Sequence, residues 1–386
     1  MRVLQVLPSV VSGGGAEQSL AMVAPLLVER GVELHLAVLD GRGDLLASLE
    51  HAGVVAHDLS SAGSWPWRVR ALRSLVRHLR PDVVHSTLFW ADMSARAATI
   101  GSGAALLTTW ANTSYDPVRR RLEPGAGGWK REVVRIVDLV TAHASRSWYH
   151  AVTEGVALDG RQALHVAADR VMVVERGRDL TRFVPPDPAA RASTRTALGY
   201  DDDVVVVLCV ARQSHQKGHL FLLEAFDALG ADRPELRLLL VGPHGSASDL
   251  IVRRISTSPH PERIVDLGGR DDVVDLLGAA DVFVLPSVAE GAAGAIIEAM
   301  AVGVPVVTSH LAGFEGWLDG RHAALATPGD AADLARAIGS ALDDPAAAAA
   351  RVAEAHHLVE SRFSLDRCAD EMTVMYQSVC RRRHAP

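Results

Sequence analysis

The stretch from Asp281 to Ser309, DVFVLPSVAEGAAGAIIEAMAVGVPVVTS, constrains the fold more than any other part of the chain. Asp281–Pro286 carries Val, Phe and Val in a short apolar run, the pattern of a strand buried on both faces of a parallel sheet. The small-residue loop Ser287–Ala293 opens onto a helix with Ile296, Ile297 and Met300 on one face. Gly303-Val304-Pro305 ends that helix, and Val306, Val307 and Thr308 begin the next strand. A helix entered from the carboxyl end of a parallel strand offers free backbone N–H groups and a positive dipole end, which suit a phosphate. Ala292, Ala293, Gly294 and Ala295 leave room for a ligand to reach that backbone. Glu290 and Glu298 bracket the helix start, so the stretch reads as a nucleotide site with one carboxylate on either side of the phosphates.

The same alternation runs through the whole chain. Arg2–Leu7, a glycine-rich turn, a helix from about Ala16 to Arg30 and the strand Glu33–Leu39 form a βαβ unit. Helices at Gly43–Ala52, Trp67–Leu79 and Phe89–Ile100 then alternate with strands at Val54–Asp58, Asp82–His85 and Ala104–Trp110. Asp138–Ala142 and Val171–Val174 read as two further strands. The link Arg178–Pro188, stiffened by Pro185, Pro186 and Pro188, leads into a second alternation that starts at Val204–Val210. With 386 residues, two α/β domains are expected: 1–182, then 183–362, with a terminal helix in 363–386 crossing back to the first. A ligand between two such sheets would lie at their carboxyl edges.

Charge and cysteine usage narrow the classes. The net charge of −7 argues against a general nucleic-acid binder, and it is unevenly spread: residues 1–182 hold 21 Lys+Arg against 18 Asp+Glu, so the second half carries the acid excess. Cys209, Cys368 and Cys380 have no metal-ligand spacing, and an odd count points to a reducing cytoplasm. No apolar run is long enough for a bilayer span, and no signal peptide is read at the start. The expected location is cytoplasmic, with peripheral contact at the inner face of the membrane as a further option.

In the first turn Gly13 and Gly15 are present, but Gln18 takes the third glycine position, which removes a nicotinamide-dinucleotide fingerprint. Arg212 and Lys217 follow Val204–Val210, two cations just past a buried strand's carboxyl end and placed to clamp a diphosphate; a solvated loop is the plainer explanation. His215 and His219 straddle Lys217-Gly218 at a loop–helix junction with no acidic partner near, so no metal site is expected. Glu290 and Glu298 would stand on the order of 10 Å apart at a helical rise of 1.5 Å per residue. That spacing suits one carboxylate on a sugar hydroxyl and another on a ribose diol better than a hydrolase acid–base pair.

With these residues the chain resembles the retaining GT-B glycosyltransferases of glycosyltransferase family 4, over nearly its whole length. The resemblance runs through Val210-Ala211-Arg212 with Lys217-Gly218, Leu240-Val241-Gly242, Leu267-Gly268-Gly269, Ala280–Ser287, Glu290-Gly291, Glu298–Ala301, Gly303–Val307 and Gly313. In the first domain it rests on Gly13-Gly14-Gly15-Ala16-Glu17, Pro81–His85, Gly177, Asp179 and Phe183. It implies two doubly wound Rossmann-like domains facing each other across a cleft. A nucleotide diphosphate sugar would sit on the second domain and a hydroxyl acceptor on the first, with no cofactor and no metal. Arg212 and Lys217 would neutralise the diphosphate, Glu298 would bind the ribose, and Glu290 with the backbone of Gly294 and Ala295 would position sugar and phosphates. Gly14 and Gly15 would bring backbone donors to the cleft, and Gly269-Arg270 would meet the base. His85, Trp110 and Asn112 are the acceptor-side candidates.

The chain departs from the family pattern in three places. Ala292 and Ala293 follow Glu290-Gly291 where the commoner form has an aromatic and a glycine. Arg176-Gly177 replaces Asn-Gly, and Trp110 and Asn112 occupy the region where many members carry a histidine. A cationic helix with Arg68, Arg70, Arg73, Arg77 and Arg80, preceded by Trp65-Pro66-Trp67, suggests an anionic membrane near a lipid-linked acceptor; a solvated helix face is the plainer explanation. Arg119-Arg120-Arg121 and Trp129-Lys130-Arg131 follow in a Gly-rich segment expected to be mobile. Two competing functions stay open at this point, a sugar-nucleotide 2-epimerase on the same plan and a non-catalytic nucleotide-sugar-binding protein.

Overall fold

The structure is a computed structural model that describes residues 1–386 except 12, 42, 125–127 and 384–386. The chain divides into two compact units. The first comprises Met1–Tyr115, Gly128–Gly177 and Ser364–Pro386; the second comprises Asp116–Gly127 and Arg178–Phe363.

The first unit is built on a parallel sheet of β1 (Arg2–Ser9), β2 (Glu33–Gly41), β3 (Val55–Asp58), β4 (Val83–Thr87), β5 (Ala105–Trp110), β6 (Trp148–Ala151) and β7 (Val171–Val173), in the order β3-β2-β1-β4-β5-β6-β7. Period-two alternation sends Val3 and Leu7 into the core on one face and Leu4 and Val6 into the core on the other. The terminal helix Leu365–Arg383 buries Ala369, Met372, Tyr376 and Val379 against the first face, where helix Gly15–Glu29 also packs.

The second unit has β8 (Val205–Val210), β9 (Leu236–Val241), β10 (Ile264–Gly268), β11 (Val282–Leu285), β12 (Val306–Ser309) and β13 (Ala324–Ala326), all parallel, in the order β10-β9-β8-β11-β12-β13. Val206 and Leu208 enter one apolar cluster while Val207 and Cys209 enter another, so the sheet is covered on both faces. Each such fully buried side chain contributes about 1.5–3 kcal/mol. In both sheets the chain reverses its direction of travel between the two central strands, β1 and β4 or β8 and β11. A crevice opens at such a point beyond the carboxyl ends of the strands.

Some expectations need correcting. Asp138–Ala142 is not a strand; it lies inside the helix Trp129–Ser145, and the strand beside β5 is Trp148–Ala151. A short apolar run with Val and Thr fits either state, and here length decides for the helix. Arg119–Arg121 sit on the helix Pro117–Leu122 and Trp129–Arg131 on the helix Trp129–Ser145, so neither cluster is in an irregular segment. The glycine-rich residues 125–127 between them lie outside the described residues. Pro188 opens a helix, Pro188–Ala197, whose first turn is capped by the Asp187 carboxylate accepting from the N–H groups of Ala189 and Ala190.

Candidate functional site

The carboxyl ends of β8 and β11 bring two loops against each other in the second unit. Gly218 has φ +71°, and a Cβ there would lie 1.9 Å from the Pro286 carbonyl oxygen, so only glycine lets the loops close. Val288 N–H donates to the Gln216 carbonyl at 2.8 Å, and Gln216 Nε2 donates to the Ala289 carbonyl at 2.7 Å. The loops thus hold each other, and their charged side chains meet. Lys217 Nζ lies 2.5 Å from Glu290 Oε1, and Ser287 Oγ donates to the same oxygen at 2.6 Å. Glu290 is buried. Arg212 is exposed, and among the described residues its guanidinium has no hydrogen-bond or ion-pair partner. Lys217 is therefore committed to a carboxylate, whereas Arg212, on the same loop, is not.

Helix Gly294–Val302 starts from this loop. Its preceding residue, Ala293, is in the left-handed region at φ 39°, and the helix N-terminus has no side-chain cap. A non-glycine residue there carries a strain of order 1–3 kcal/mol, which surrounding packing must hold. Glu298 lies one turn inside the helix and accepts from Arg178 Nε at 2.7 Å. A Cβ at Gly294 would lie 1.5 Å from Arg178 Nη2, so the guanidinium fills the place of a side chain at the helix start.

Gly269 and Arg270 sit at the end of β10. A Cβ at Gly269 would meet nothing within 4 Å, and Arg270 forms two parallel bonds to Asp272, from Nε at 2.8 Å and from Nη2 at 2.5 Å. His219 does not form a metal pair with His215: it is buried at the start of helix His219–Gly230, and burial together with Lys217 pushes its imidazole down to about 4.

The remaining predicted residues belong to the first unit. Gly14 has an ordinary φ of −104°, and what requires glycine is close approach: a Cβ there would lie 2.0 Å from Glu17 Oε2. The Gly15 carbonyl accepts from Arg176 Nη1 at 3.0 Å. His85, on β4, is buried in a chain of bonds rather than presented on a surface; its Nε2 is 2.6 Å from Thr109 Oγ1, and burial drives its imidazole well below the ordinary range. Gln5, His85, Thr109 and His150 from four strands line a pocket with Glu175 and Arg176. Trp110 stacks on Tyr149 with ring centroids 4.3 Å apart. Among the described residues, Trp110 Nε1 and Asn112 Oδ1 are buried with no hydrogen-bond partner, a donor and an acceptor left open at the end of β5.

Sequence reasoning missed Arg178, Ser287 and Gln216. Ser287 stands three residues before Glu290, a spacing that could have suggested the bond. Arg178 is 120 residues from Glu298 in sequence, and nothing local marks their pairing.

Two family models match the chain, "Glycosyltransferase Family 4" over residues 13–182 and "Glycosyl transferases group 1" over residues 204–344. Among solved structures, the Anabaena protein HepE in complex with UDP-glucose superposes with a TM-score of 0.83 at 21% identity, covering 98% of this chain and 100% of that one. The fold is thus the GT-B fold. The chain belongs to the family 4 glycosyltransferases. A GDP-mannose-dependent monoacylated alpha-(1-6)-phosphatidylinositol monomannoside mannosyltransferase of Corynebacterium glutamicum is 30% identical over 211 residues, 52% of this chain and 55% of the relative. The lipopolysaccharide core biosynthesis mannosyltransferase LpsB of Rhizobium meliloti is 27% identical over 261 residues, 66% of this chain and 69% of the relative. The chain thus spans little more than half the length of the first of these relatives.

Proposed function

We propose that this chain transfers a hexose from a nucleotide diphosphate sugar to a hydroxyl acceptor, with retention and without a metal. What supports the reading is the Lys217–Glu290 contact between the loops that follow β8 and β11, with the uncapped start of helix Gly294–Val302 directly after the second loop, Glu298 one turn into that helix and Arg212 on the first loop. Arg212 and Lys217 neutralise the diphosphate as it leaves, each charge-assisted bond being worth about 1.5–3 kcal/mol. The N–H groups at Gly294 and Ala295 hold a phosphate, Glu298 takes the ribose diol, and Glu290 positions the sugar. Gly269-Arg270 meet the base. The sugar's bond to the phosphate oxygen breaks and a bond to the acceptor oxygen forms on the same face. The acceptor's proton passes to the leaving diphosphate, so two fixed cations do the charge work a metal would otherwise do. In the first unit, Gly14 and Gly15 are the candidates for backbone donors, and Trp110 and Asn112, whose Nε1 and Oδ1 are buried without a hydrogen-bond partner among the described residues, are the acceptor-side candidates. The two relatives' names, a phosphatidylinositol monomannoside enzyme and a lipopolysaccharide core enzyme, favour a sugar carried on a lipid as that acceptor and mannose as the sugar. A cytoplasmic enzyme in peripheral contact with the membrane fits that substrate.

The test is release of nucleoside diphosphate from GDP-mannose or UDP-glucose with and without glycolipid acceptors, in the presence of a chelator. Acceptor-dependent release with the anomeric configuration kept supports the reading. Epimer formation without acceptor, or donor binding with no turnover across the acceptor panel, overturns it.

A further inference from the structure

Helix Trp129–Ser145 is built inside out. A helix on a globular surface turns its apolar stripe to the core and its charges to water. Here the inward side carries Asp138, which is buried and accepts from Arg96 Nη1 at 2.6 Å and from the Tyr115 hydroxyl at 2.5 Å. Arg135 likewise donates from Nη1 to the Ala163 carbonyl at 2.9 Å. The outward side, at helical spacing, is apolar: Trp129 is 73% exposed, Val133 47%, Ile136 47%, Val137 40% and Val140 59%. Polar bonds hold this helix to its unit while five large apolar side chains face away.

The neighbouring helices extend the surface. Helix Phe89–Thr99 packs between Trp129–Ser145 and Trp65–Leu79, joined to the first through Arg96–Asp138 and to the second through Trp65 Nε1 donating to Ser94 Oγ at 3.0 Å. Trp65, Trp67 and Trp90 are exposed at the starts of these helices, as Trp129 is at the start of its own; the other three tryptophans of the chain are buried. Helix Trp65–Leu79 contains Arg68, Arg70, Arg73 and Arg77 and no acidic residue.

We propose that this layer docks on an anionic lipid surface, with the apolar side of Trp129–Ser145 set into the acyl–headgroup boundary and Arg70 and Arg77 facing the headgroups. Arg68 pairs with Asp40, but Arg70 and Arg77 are exposed with no ion-pair partner among the described residues. Tryptophan at helix starts, aliphatic residues along one helix and such arginines nearby are the combination that boundary selects. A second copy of the chain fits less well, because a two-fold contact would bring one cationic helix toward the other. A soluble glycan would account for the tryptophans but not for Val133, Val137 and Val140. The inference rests on the glycosyl-transfer reading only for the nature of the acceptor, and its test uses no donor, so either can fail alone.

The full chain is floated with vesicles of phosphatidylcholine alone and of phosphatidylcholine mixed with phosphatidylglycerol, at low and high salt. Binding to the anionic vesicles that weakens with salt is expected. The triple variant Val133→Ser, Val137→Ser, Val140→Ser and, separately, Arg70→Gln with Arg77→Gln should each lower it by about tenfold or more. The variants' unfolding curves should match the parent's, since all five side chains are exposed. No binding to anionic vesicles, or equal binding by the triple variant, overturns the proposal. So does a parent dimer that the triple variant splits without change in vesicle binding, or a loss confined to soluble glycan binding.

Discussion

Arg178 donates from Nε to Glu298 Oε1 at 2.7 Å, and its Nη2 stands 1.5 Å from where a Cβ on Gly294 would be. A buried guanidinium therefore lies at the positive end of the helix proposed to hold a phosphate, tied to the carboxylate proposed to hold the ribose. A cation at a helix N-terminus is disfavoured by the dipole. Glu298 offsets that cost here, and a bound diphosphate would offset it further.

Gly294→Ala should expel Arg178 from its place. Donor affinity, read by calorimetry, is expected to fall about tenfold or more, with the thermal midpoint lowered as well. Arg178→Ala removes the clashing group, so Gly294→Ala should cost far less stability in that background, a non-additivity seen only between groups in contact. Additive losses would show that Arg178 and Gly294 do not meet in solution.

Glu298→Ala should chiefly weaken donor binding and leave the turnover of bound donor less affected. An unchanged donor affinity would remove Glu298 from the ribose contact. Arg178 loses this partner in the variant, so Glu298→Gln is the better control: it keeps an acceptor for Arg178 Nε while removing the charge.

Lys217→Ala should lower kcat by about tenfold or more, since a cation on the leaving group acts most in the transition state. It also leaves the buried Glu290 carboxylate without its ammonium partner at 2.5 Å, at a cost of about 1–3 kcal/mol. The two effects separate in Lys217→Met with Glu290→Gln. Restored stability with turnover well below that of Glu290→Gln alone assigns Lys217 to the diphosphate; turnover equal to that of Glu290→Gln alone removes it from the chemistry.

The alternation of strand and helix was readable because strands buried on both faces are continuous apolar runs, as in Val205–Val210 and Val282–Leu285. Helix Trp129–Ser145 escaped because the short run Asp138–Ala142 was read by itself, although Trp129, Val133, Ile136, Val137 and Val140 recur at helical spacing. Arg212, Lys217, Glu290 and Glu298 were singled out as candidates from their places after β8, after β11 and within the helix that follows. Their pairings were not. Lys217 and Glu290 are 73 residues apart and Arg178 and Glu298 are 120 apart, and only the strand order β8-β11 makes the first pair neighbours. The contact of Gly14 with Glu17, at an ordinary φ, was not legible, because no local pattern announces it.

The buried histidines of the first unit make acid a specific threat to it. His150 donates from Nε2 to the Val174 carbonyl at 2.9 Å, which leaves Nδ1 to accept from Thr109 Oγ1 at 3.2 Å. The Thr109 oxygen then accepts from His85 Nε2 at 2.6 Å, and His85 Nδ1 faces Gln5 Nε2 and the Tyr376 hydroxyl, both at 2.9 Å. Every ring nitrogen has one role in this chain, and protonating either imidazole would turn an acceptor into a donor facing donors. Burial pushes His150 down from 6.5 to about 4 and His85 in the same direction. A folded pKa below the unfolded one means that the unfolded chain takes up the proton first. The stability these groups contribute is whole above pH 6.5 and is lost as the pH falls from there toward 4. For His150 alone the loss between pH 7.5 and 5 is about 2 kcal/mol. His150→Gln can still donate to the Val174 carbonyl and accept from Thr109. Urea unfolding at the two pH values should therefore show the parent losing about 2 kcal/mol more than this variant. Equal losses in parent and variant would mean that His150 titrates normally in the folded protein and that the chain of bonds does not hold it neutral.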